Sequence, residues 1–161
     1  MDKRTFKDIF EKTQKKLSGW KSRLLNLAGR VTLVKHVTSC LPCYHMQTMA
    51  LPMSVCKSFD KMNRDFIWRD TGNTKRIHLV NWDTVCKNKK QGGLGVRKTH
   101  DNNLAILTKL GWKIMKKDNS LWVKVMRSKY FRNGGIKVDN FKKKSNSSVV
   151  FREVFSKLRR F

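Results

Sequence analysis

An excess of positive charge is the feature that most constrains this sequence. The 161 residues include 37 Lys and Arg against 11 Asp and Glu, which gives a formal net charge of +26. A compact chain with so many like charges repels itself unless an anionic partner or counterions neutralise them. Hydrophobic residues nevertheless make up 39% of the chain and aromatic residues 10%, which is too much apolar material for a solvated basic tail. We therefore expect a folded core whose surface binds a polyanion.

Nucleic acid is the first polyanion that such a chain is expected to bind, because cations gain affinity by releasing the counterions of phosphates. An anionic membrane surface is the second. No stretch approaches the roughly 18 to 20 uncharged apolar residues of a membrane span, and the N-terminal residues lead into no apolar signal region. We therefore expect an intracellular protein. The first predicted helix is basic and amphipathic, but its apolar face has a core to enter, so no membrane partner is expected. Short basic runs at 87–90 and 142–144 are compatible with nuclear import and favour the nucleus.

The cysteines and carboxylates favour no metal site, no cofactor and no catalytic residue. Cys40 and Cys43 have the two-residue gap of a zinc knuckle and His45 follows, but the second half of such a site is absent, so reduced thiols are the preferred interpretation. Phosphoryl transfer by two metals needs acidic groups that converge on ions about 4 Å apart. The aspartates here are isolated along the sequence, mostly beside Lys or Arg, where helix caps and local ion pairs explain them better.

Apolar residues recur at helical spacing along most of the chain, which predicts a mainly α fold. Asp101 and Ser120 are expected to cap two of the helices. The second of these would have on its apolar side Leu121, Trp122, Val125, Met126 and Tyr130. The predicted helical segments are 5–17, 28–41, one that starts at Pro52 and runs through Phe66, a helical turn at 82–87, one capped by Asp101 and directing Leu104, Leu107, Leu110, Ile114 and Met115 inward, one capped by Ser120, and 149–158.

Three segments interrupt the helical pattern. Alternation at 77–80 predicts a short strand or an extended link. Glycines at 92–95 predict a tight turn, because they lack the Lys-Ser/Thr pair of a phosphate-binding loop. Residues 133–148 are rich in Gly, Asn, Lys and Ser and predict a mobile loop. We divide the chain into a helical region, 1–132, and a basic mobile loop with a short C-terminal helix, 133–161.

An ordered series of short sequence motifs makes the sequence resemble a known family. The motifs are KLSGWK at 16–21, LAGRVTLVK at 27–35, YHMQ at 44–47, LP at 51–52, NRDFIW at 63–68, HLVNWD at 78–83, GGLGVR at 92–97, NLAIL at 103–107, and LW at 121–122 with KY at 129–130. In this order they resemble the region C-terminal to the polymerase core in plant LINE-type (non-LTR) retrotransposon reverse transcriptases. Members of that group often carry ribonuclease H or reverse-transcriptase zinc-binding labels.

The resemblance implies a piece of a longer polyprotein. In such proteins a polymerase palm with its paired aspartates lies upstream, and a zinc-binding segment and often a ribonuclease H domain follow. The present segment corresponds to the helical thumb and connection, which grips the template–primer duplex by its backbone. The chain alone is then not an enzyme, and its partners are an RNA or DNA template–primer and the upstream polymerase domain.

Charge and resemblance together give the first hypothesis, a non-catalytic segment that supports RNA-directed DNA synthesis only within the full polyprotein. Aromatic rings that alternate with cations, as at 20–23 and 66–69, are expected to pack in the core, while the cations face phosphates. The side chains predicted to contact the nucleic-acid backbone are Arg23, Arg30, Lys35, Arg64, Arg69, Lys75 and Arg76.

The alternative is a stand-alone basic nucleic-acid-binding or architectural protein, or a retroelement relic without function. A stand-alone protein predicts cooperative folding of the isolated chain and little preference for a recessed primer end over plain duplex.

The sequence departs from the family pattern at two turns and in one cysteine pair. Family members usually have Gly after the Phe-x-Trp word, where this chain has Arg69, and Pro before Lys near the glycine turn, where it has Asn88 and Lys89. Each change is expected to loosen a turn without removing a reactive group. Cys40 and Cys43 fall where the family has small or apolar residues, which further disfavours zinc.

Overall fold

The computed structural model describes residues 6–19, 24–69 and 77–130, and most of these are helical. A π-helical turn, Val34–Thr38, directly follows the helix that ends at Leu33, and a 3-10 turn, Lys89–Gln91, lies just before the glycines at 92–95. No strand occurs in the described ranges, so the predicted mainly α fold is confirmed, and 77–80 are neither helix nor paired strand. The helices are α1 (Lys7–Ser18), α2 (Leu27–Leu33), α3 (Cys43–Thr48), α4 (Met53–Trp68), α5 (Trp82–Cys86), α6 (Thr99–Met115) and α7 (Leu121–Tyr130).

The chain forms two compact units that interleave in sequence. Among the described residues, the first unit comprises 6–19, 24–44, 51–69 and 77–102. The second comprises 45–50 and 103–130. The predicted loop at 133–148, the predicted helix at 149–158 and the predicted region 133–161 lie outside the described residues.

The core of the first unit is built around α4. The helix α1 buries Ile9 and Leu17, and Phe6, the residue before the helix, is buried with them. The ring of Phe10 stacks on that of Phe59 with 4.3 Å between centroids. Further along α4, a second buried cluster joins it to α2 and α5. Its buried members are Val31, Val34, Ile67, Val85 and Val96. Apolar periodicity of three and four residues is sufficient to place these helices, because burying such a stripe is what stabilises a short helix.

The π-helical turn is tied to α4 by a buried polar contact. Ser39 donates its backbone N–H to the Val34 carbonyl, five residues back, at 3.0 Å. The Thr38 hydroxyl donates to Asn63 Oδ1 at 2.8 Å, and both side chains are buried. A buried amide without a partner would destabilise the fold, so this contact explains why an asparagine is tolerated in the core.

The start of α6 differs from the sequence prediction. The helix begins at Thr99, and Asp101 lies in its first turn instead of capping it. Asp60 of α4 supplies the cap: its Oδ1 accepts hydrogen bonds from Thr99 N at 3.0 Å and from Thr99 Oγ1 at 2.7 Å. The predicted Asp101 cap is therefore wrong, because a carboxylate from a distant helix occupies the site that a local residue was expected to fill.

In the second unit, Ser120 directly precedes α7, at the position predicted for its cap, and its carbonyl accepts the N–H of Lys124 at 3.1 Å. The predicted inner face is wrong at two positions, while Trp122 and Met126 are partly buried. Leu121 and Val125 are 78% and 54% exposed, whereas Val123 is fully buried. Leu107 and Ile114 of α6 are buried as predicted, but Met115, predicted to face inward, is 48% exposed.

Candidate nucleic-acid interface

The structure describes four of the seven side chains that were predicted to contact phosphates. These four, Arg30, Lys35, Arg64 and Arg69, all lie in the first unit. Arg23, Lys75 and Arg76 lie outside the described residues. The phosphate contacts themselves stay predictions, but the four described side chains have very different surroundings.

Arg30 is engaged inside the fold. It is only 8% exposed, and its guanidinium Nη1 donates to the Ile67 carbonyl and, at 3.4 Å, to the Phe66 carbonyl. These carbonyls belong to the last turn of α4, where the helix dipole is negative and backbone acceptors lack helical partners. The guanidinium of Arg30 therefore caps α4 and holds α2 against it, which leaves little of it for a phosphate.

Arg69 and Arg64 also have protein partners. Arg69 follows α4 in the left-handed conformation, with φ of 61°, and its Nη2 donates to the Leu25 carbonyl at 3.0 Å. Arg64 is half-buried, and its Nε lies 3.8 Å from Asp65 Oδ1. The guanidinium of Arg69 remains exposed, so it differs from Arg30 in its access to solvent.

Lys35 lies beside the glycine turn. A Cβ placed on Gly95 would lie 3.4 Å from Lys35 Nζ and 3.8 Å from Lys89 Cγ, so these two lysine side chains converge on the Gly95 α-carbon. Gly95 has φ of +66°, in the left-handed region that glycine adopts without strain. The turn therefore brings a cation from the π-helical segment next to one from a distant part of the sequence.

The glycine turn uses its own backbone amides. Leu94 N donates to the Val85 carbonyl at 3.0 Å and Gly95 N to the Lys87 carbonyl at 2.8 Å, and the amides of Gly92 and Gly93 bond within the turn as well. A Cβ on Gly93 would collide with the Lys87 carbonyl, so the close approach requires glycine. These amides are therefore committed to the fold, and the prediction of a turn instead of a phosphate cradle is confirmed.

The turn instead presents lysines. Lys87, Lys89 and Lys90 are exposed, and with Lys35 they form what we call the turn-lysine cluster. None of the four has a carboxylate partner within the described ranges, whereas nearby Lys98 pairs with Asp83 at 2.8 Å. Four like charges without a counter-charge favour an anionic ligand.

Sequence reasoning placed only Lys35 of the turn-lysine cluster among the phosphate-binding residues. The other three were noted as a basic run at 87–90 compatible with nuclear import. The glycines just after this run could have predicted the cluster, because a tight turn lies at the surface and exposes the lysines that precede it.

Three of the four cysteines have thiol pKa values above the ordinary one. Burial raises the pKa of the Cys56 thiol to about 11 and that of Cys86 to about 12, in each case helped by the charge of Asp60. Burial likewise raises the pKa of Cys43, so none of the three is a thiolate at neutral pH. Across the described part of the chain, no three His, Cys, Asp or Glu side chains come together as metal ligands. Nor does any described helix combine the length and the apolar character needed to cross a membrane.

Comparison with known proteins identifies two relatives in Arabidopsis thaliana. No protein-family model and no solved structure match the sequence. One relative, named "putative ribonuclease H protein", is 42% identical over 130 residues, which cover 81% of this chain and 21% of the relative. The other, named "uncharacterized mitochondrial protein", is 34% identical over 92 residues, which cover 56% of this chain and 60% of the relative. The chain thus corresponds to about a fifth of the first relative's length and three fifths of the second's.

Proposed function

We propose that this chain is the thumb-and-connection segment of a plant retrotransposon reverse transcriptase of the LINE type, and that it binds the phosphate backbone of a template–primer. The turn-lysine cluster is the observation that carries the proposal, because its four cations have no carboxylate partner among the described residues. The chain is similar to one fifth of a longer relative named for ribonuclease H, and this similarity supports an origin in a polyprotein.

The segment acts by binding and positioning. Lysine ammonium groups bind phosphate oxygens as point charges, and each contact releases condensed counterions. Such contacts fix the register of a duplex without reading its bases, as a polymerase that copies any template requires. Chemistry is supplied by an upstream palm domain, and the segment supports RNA-directed DNA synthesis only when it is joined to that domain. For a protein in this role we propose a nuclear location, with which the basic run at 87–90 is compatible.

Two triple variants with equal charge changes test the cluster. One carries Lys35→Gln, Lys87→Gln and Lys89→Gln. The control carries Lys12→Gln, Lys15→Gln and Lys16→Gln on the exposed face of α1. Glutamine keeps much of the lysine stem, so packing around Gly95 is retained while the charge is removed.

Fluorescence anisotropy with a labelled template–primer, measured over a range of salt concentrations, gives the slope of log affinity against log salt. Each phosphate contact contributes about 0.7 to 0.9 to that slope, so the cluster variant is expected to lose about 2 to 3 units. The control should lose less than one unit. Equal losses in the two variants would show that binding depends on total charge alone and would contradict a site at the glycine turn.

A further inference from the structure

The second unit exposes a basic stripe on α6 that contains an aromatic ring. Lys109, Trp112 and Lys116 are separated by three and four residues and therefore lie on one side of the helix. All three are exposed, and Trp112, a residue usually well buried, is 54% exposed. We call these three residues the α6 stripe.

The end of α6 fixes the position of the stripe. Lys116 N donates to the Trp112 carbonyl at 2.9 Å, so the last helical turn includes Lys116. Asp118 N then donates to the Lys113 carbonyl at 3.1 Å and Lys117 N to the Ile114 carbonyl at 3.2 Å, the paired bonds of a Schellman cap. The backbone that carries the stripe is therefore hydrogen-bonded through to the C-terminal end of α6, which fixes the spacing of its three side chains.

Charge on the stripe has no compensation among the described residues. Lys113, on an adjacent side of the helix, lies 4.0 Å from Asp118. Lys109 and Lys116 have no such carboxylate partner in the described ranges. Lys116 Nζ instead lies 5.5 Å from the centroid of the Trp112 ring, over the aromatic face.

We propose that the α6 stripe binds single-stranded nucleic acid, with a base stacked on Trp112 and phosphates bound by Lys109 and Lys116. Exposed aromatic rings flanked by cations bind unpaired strands in this way, because every base has a face that stacks and every nucleotide has a phosphate. Paired bases are already stacked on their neighbours, so a duplex offers nothing comparable to the ring. The inference rests on nucleic-acid binding by the chain and adds a second ligand, the unpaired strand.

The composition of the stripe favours nucleic acid over an anionic membrane. A helix that lies in a membrane buries a broad apolar face. The α6 stripe has one ring between two lysines, and the next exposed position on the same side is Ala105. Met115 of α6, three residues beyond Trp112, adds one half-exposed apolar side chain, and the exposed Leu121 and Val125 lie on α7, so α6 itself has no broad apolar face.

Binding of the full chain to two probes tests the proposal. The first probe is a labelled thymidine oligonucleotide of about 12 nucleotides, within the usual range of single-strand sites, and the second is a blunt duplex. Trp112→Ala is expected to weaken binding to the single strand about tenfold and to leave duplex binding within about twofold, since a duplex is bound by phosphate contacts. Trp112→Phe, which keeps a ring, should restore most of the affinity. Lys124→Ala on α7 is the control, because it removes an exposed cation outside the stripe.

A second readout avoids dependence on the alanine variant. Adding the single strand should quench tryptophan fluorescence more in the unmodified chain than in Trp112→Phe, because stacking quenches the indole. Equal quenching in the two proteins, or equal weakening of both probes by Trp112→Ala, would overturn the proposal. Loss of binding to phosphatidylserine vesicles in Trp112→Ala, with single-strand binding unchanged, would overturn it in favour of a membrane. Salt-independent binding of both probes would instead contradict the proposed function.

Discussion

Arg69 holds a backbone conformation that its side chain does not favour. With φ of 61° it closes α4 in the left-handed region, which costs an L-residue about 1 to 2 kcal/mol relative to glycine. A Gly, which is usual at this position in the family that the sequence resembles, would avoid that cost. Here the hydrogen bond from Arg69 to the Leu25 carbonyl offsets part of it.

Two variants separate the cost of the left-handed backbone at Arg69 from the stabilisation by its side-chain hydrogen bond. Arg69→Ala loses the hydrogen bond and keeps the strain, whereas Arg69→Gly loses the bond and relieves the strain. We expect the glycine variant to be more stable than the alanine variant by about 1 kcal/mol in urea unfolding. The same pair at Lys117, whose φ is 57°, serves as a second left-handed position. Equal stability of the alanine and glycine variants would contradict a left-handed Arg69.

Asn88 stands where the family that the sequence resembles usually has proline, and its backbone geometry suits a proline. Its φ is −62°, the preceding Lys87 has ψ of 157°, and no backbone bond from Asn88 N is present among the described residues. Asn88→Pro is therefore expected to raise the free energy of unfolding by about 0.4 to 1 kcal/mol, because it restricts the unfolded chain. Thermal unfolding checks this value. Gln91→Pro is the control, since Gln91 N donates to the Asn88 carbonyl at 2.8 Å, and that variant should lose stability.

At the scale of helices, the cap of α6 depends on a single carboxylate from α4. Asp60→Ala removes the acceptor for both Thr99 hydrogen bonds and should cost about 1 kcal/mol. Asp60→Asn keeps an acceptor oxygen without the charge and should cost less. Urea unfolding of the two variants at one pH tests this order, and equal losses in the two variants would show that the cap acts through charge alone.

The pH dependence of stability gives a second test of Asp60. Burial raises the pKa of this carboxyl above its ordinary value of 3.8, against the lowering effect of the Thr99 hydrogen bonds. The folded chain then holds the proton more tightly than the unfolded chain, so this group favours folding in acid and costs stability as pH rises through its folded pKa. Asp60→Asn should therefore gain stability relative to the unmodified chain as pH rises from 3.8 towards neutrality. A difference that does not change with pH would contradict a raised pKa.

Local pattern explains the helices but not the contacts between them. Apolar spacing placed α1, α4 and α6 closely, because each buries one stripe. The cap of α6 was missed because Asp60 and Thr99 are 39 residues apart in sequence. The inner face of α7 was misjudged because Val123, Leu121 and Val125 are equally apolar, and only packing decides which of them is buried.

For the whole molecule, net charge predicts the class of ligand but not its binding site. Arg30 and Lys35 are both cations in one stretch of helical sequence, yet Arg30 caps α4 and Lys35 lies at the glycine turn. Their roles depend on tertiary neighbours that no local spacing shows. The excess charge therefore indicated a polyanion, and the fold was needed to separate structural cations from those available to it.

The central claim is that the chain binds the phosphate backbone of a template–primer. The most direct test measures affinity of the full chain for a duplex with a recessed primer end and for a blunt duplex as salt is raised. The account predicts steep loss of affinity, by about 0.7 to 0.9 log units per log unit of salt for each phosphate bound, together with tighter binding to the recessed end. Affinity that ignores salt would contradict backbone binding, and equal affinity for both duplexes would contradict a role at the primer end.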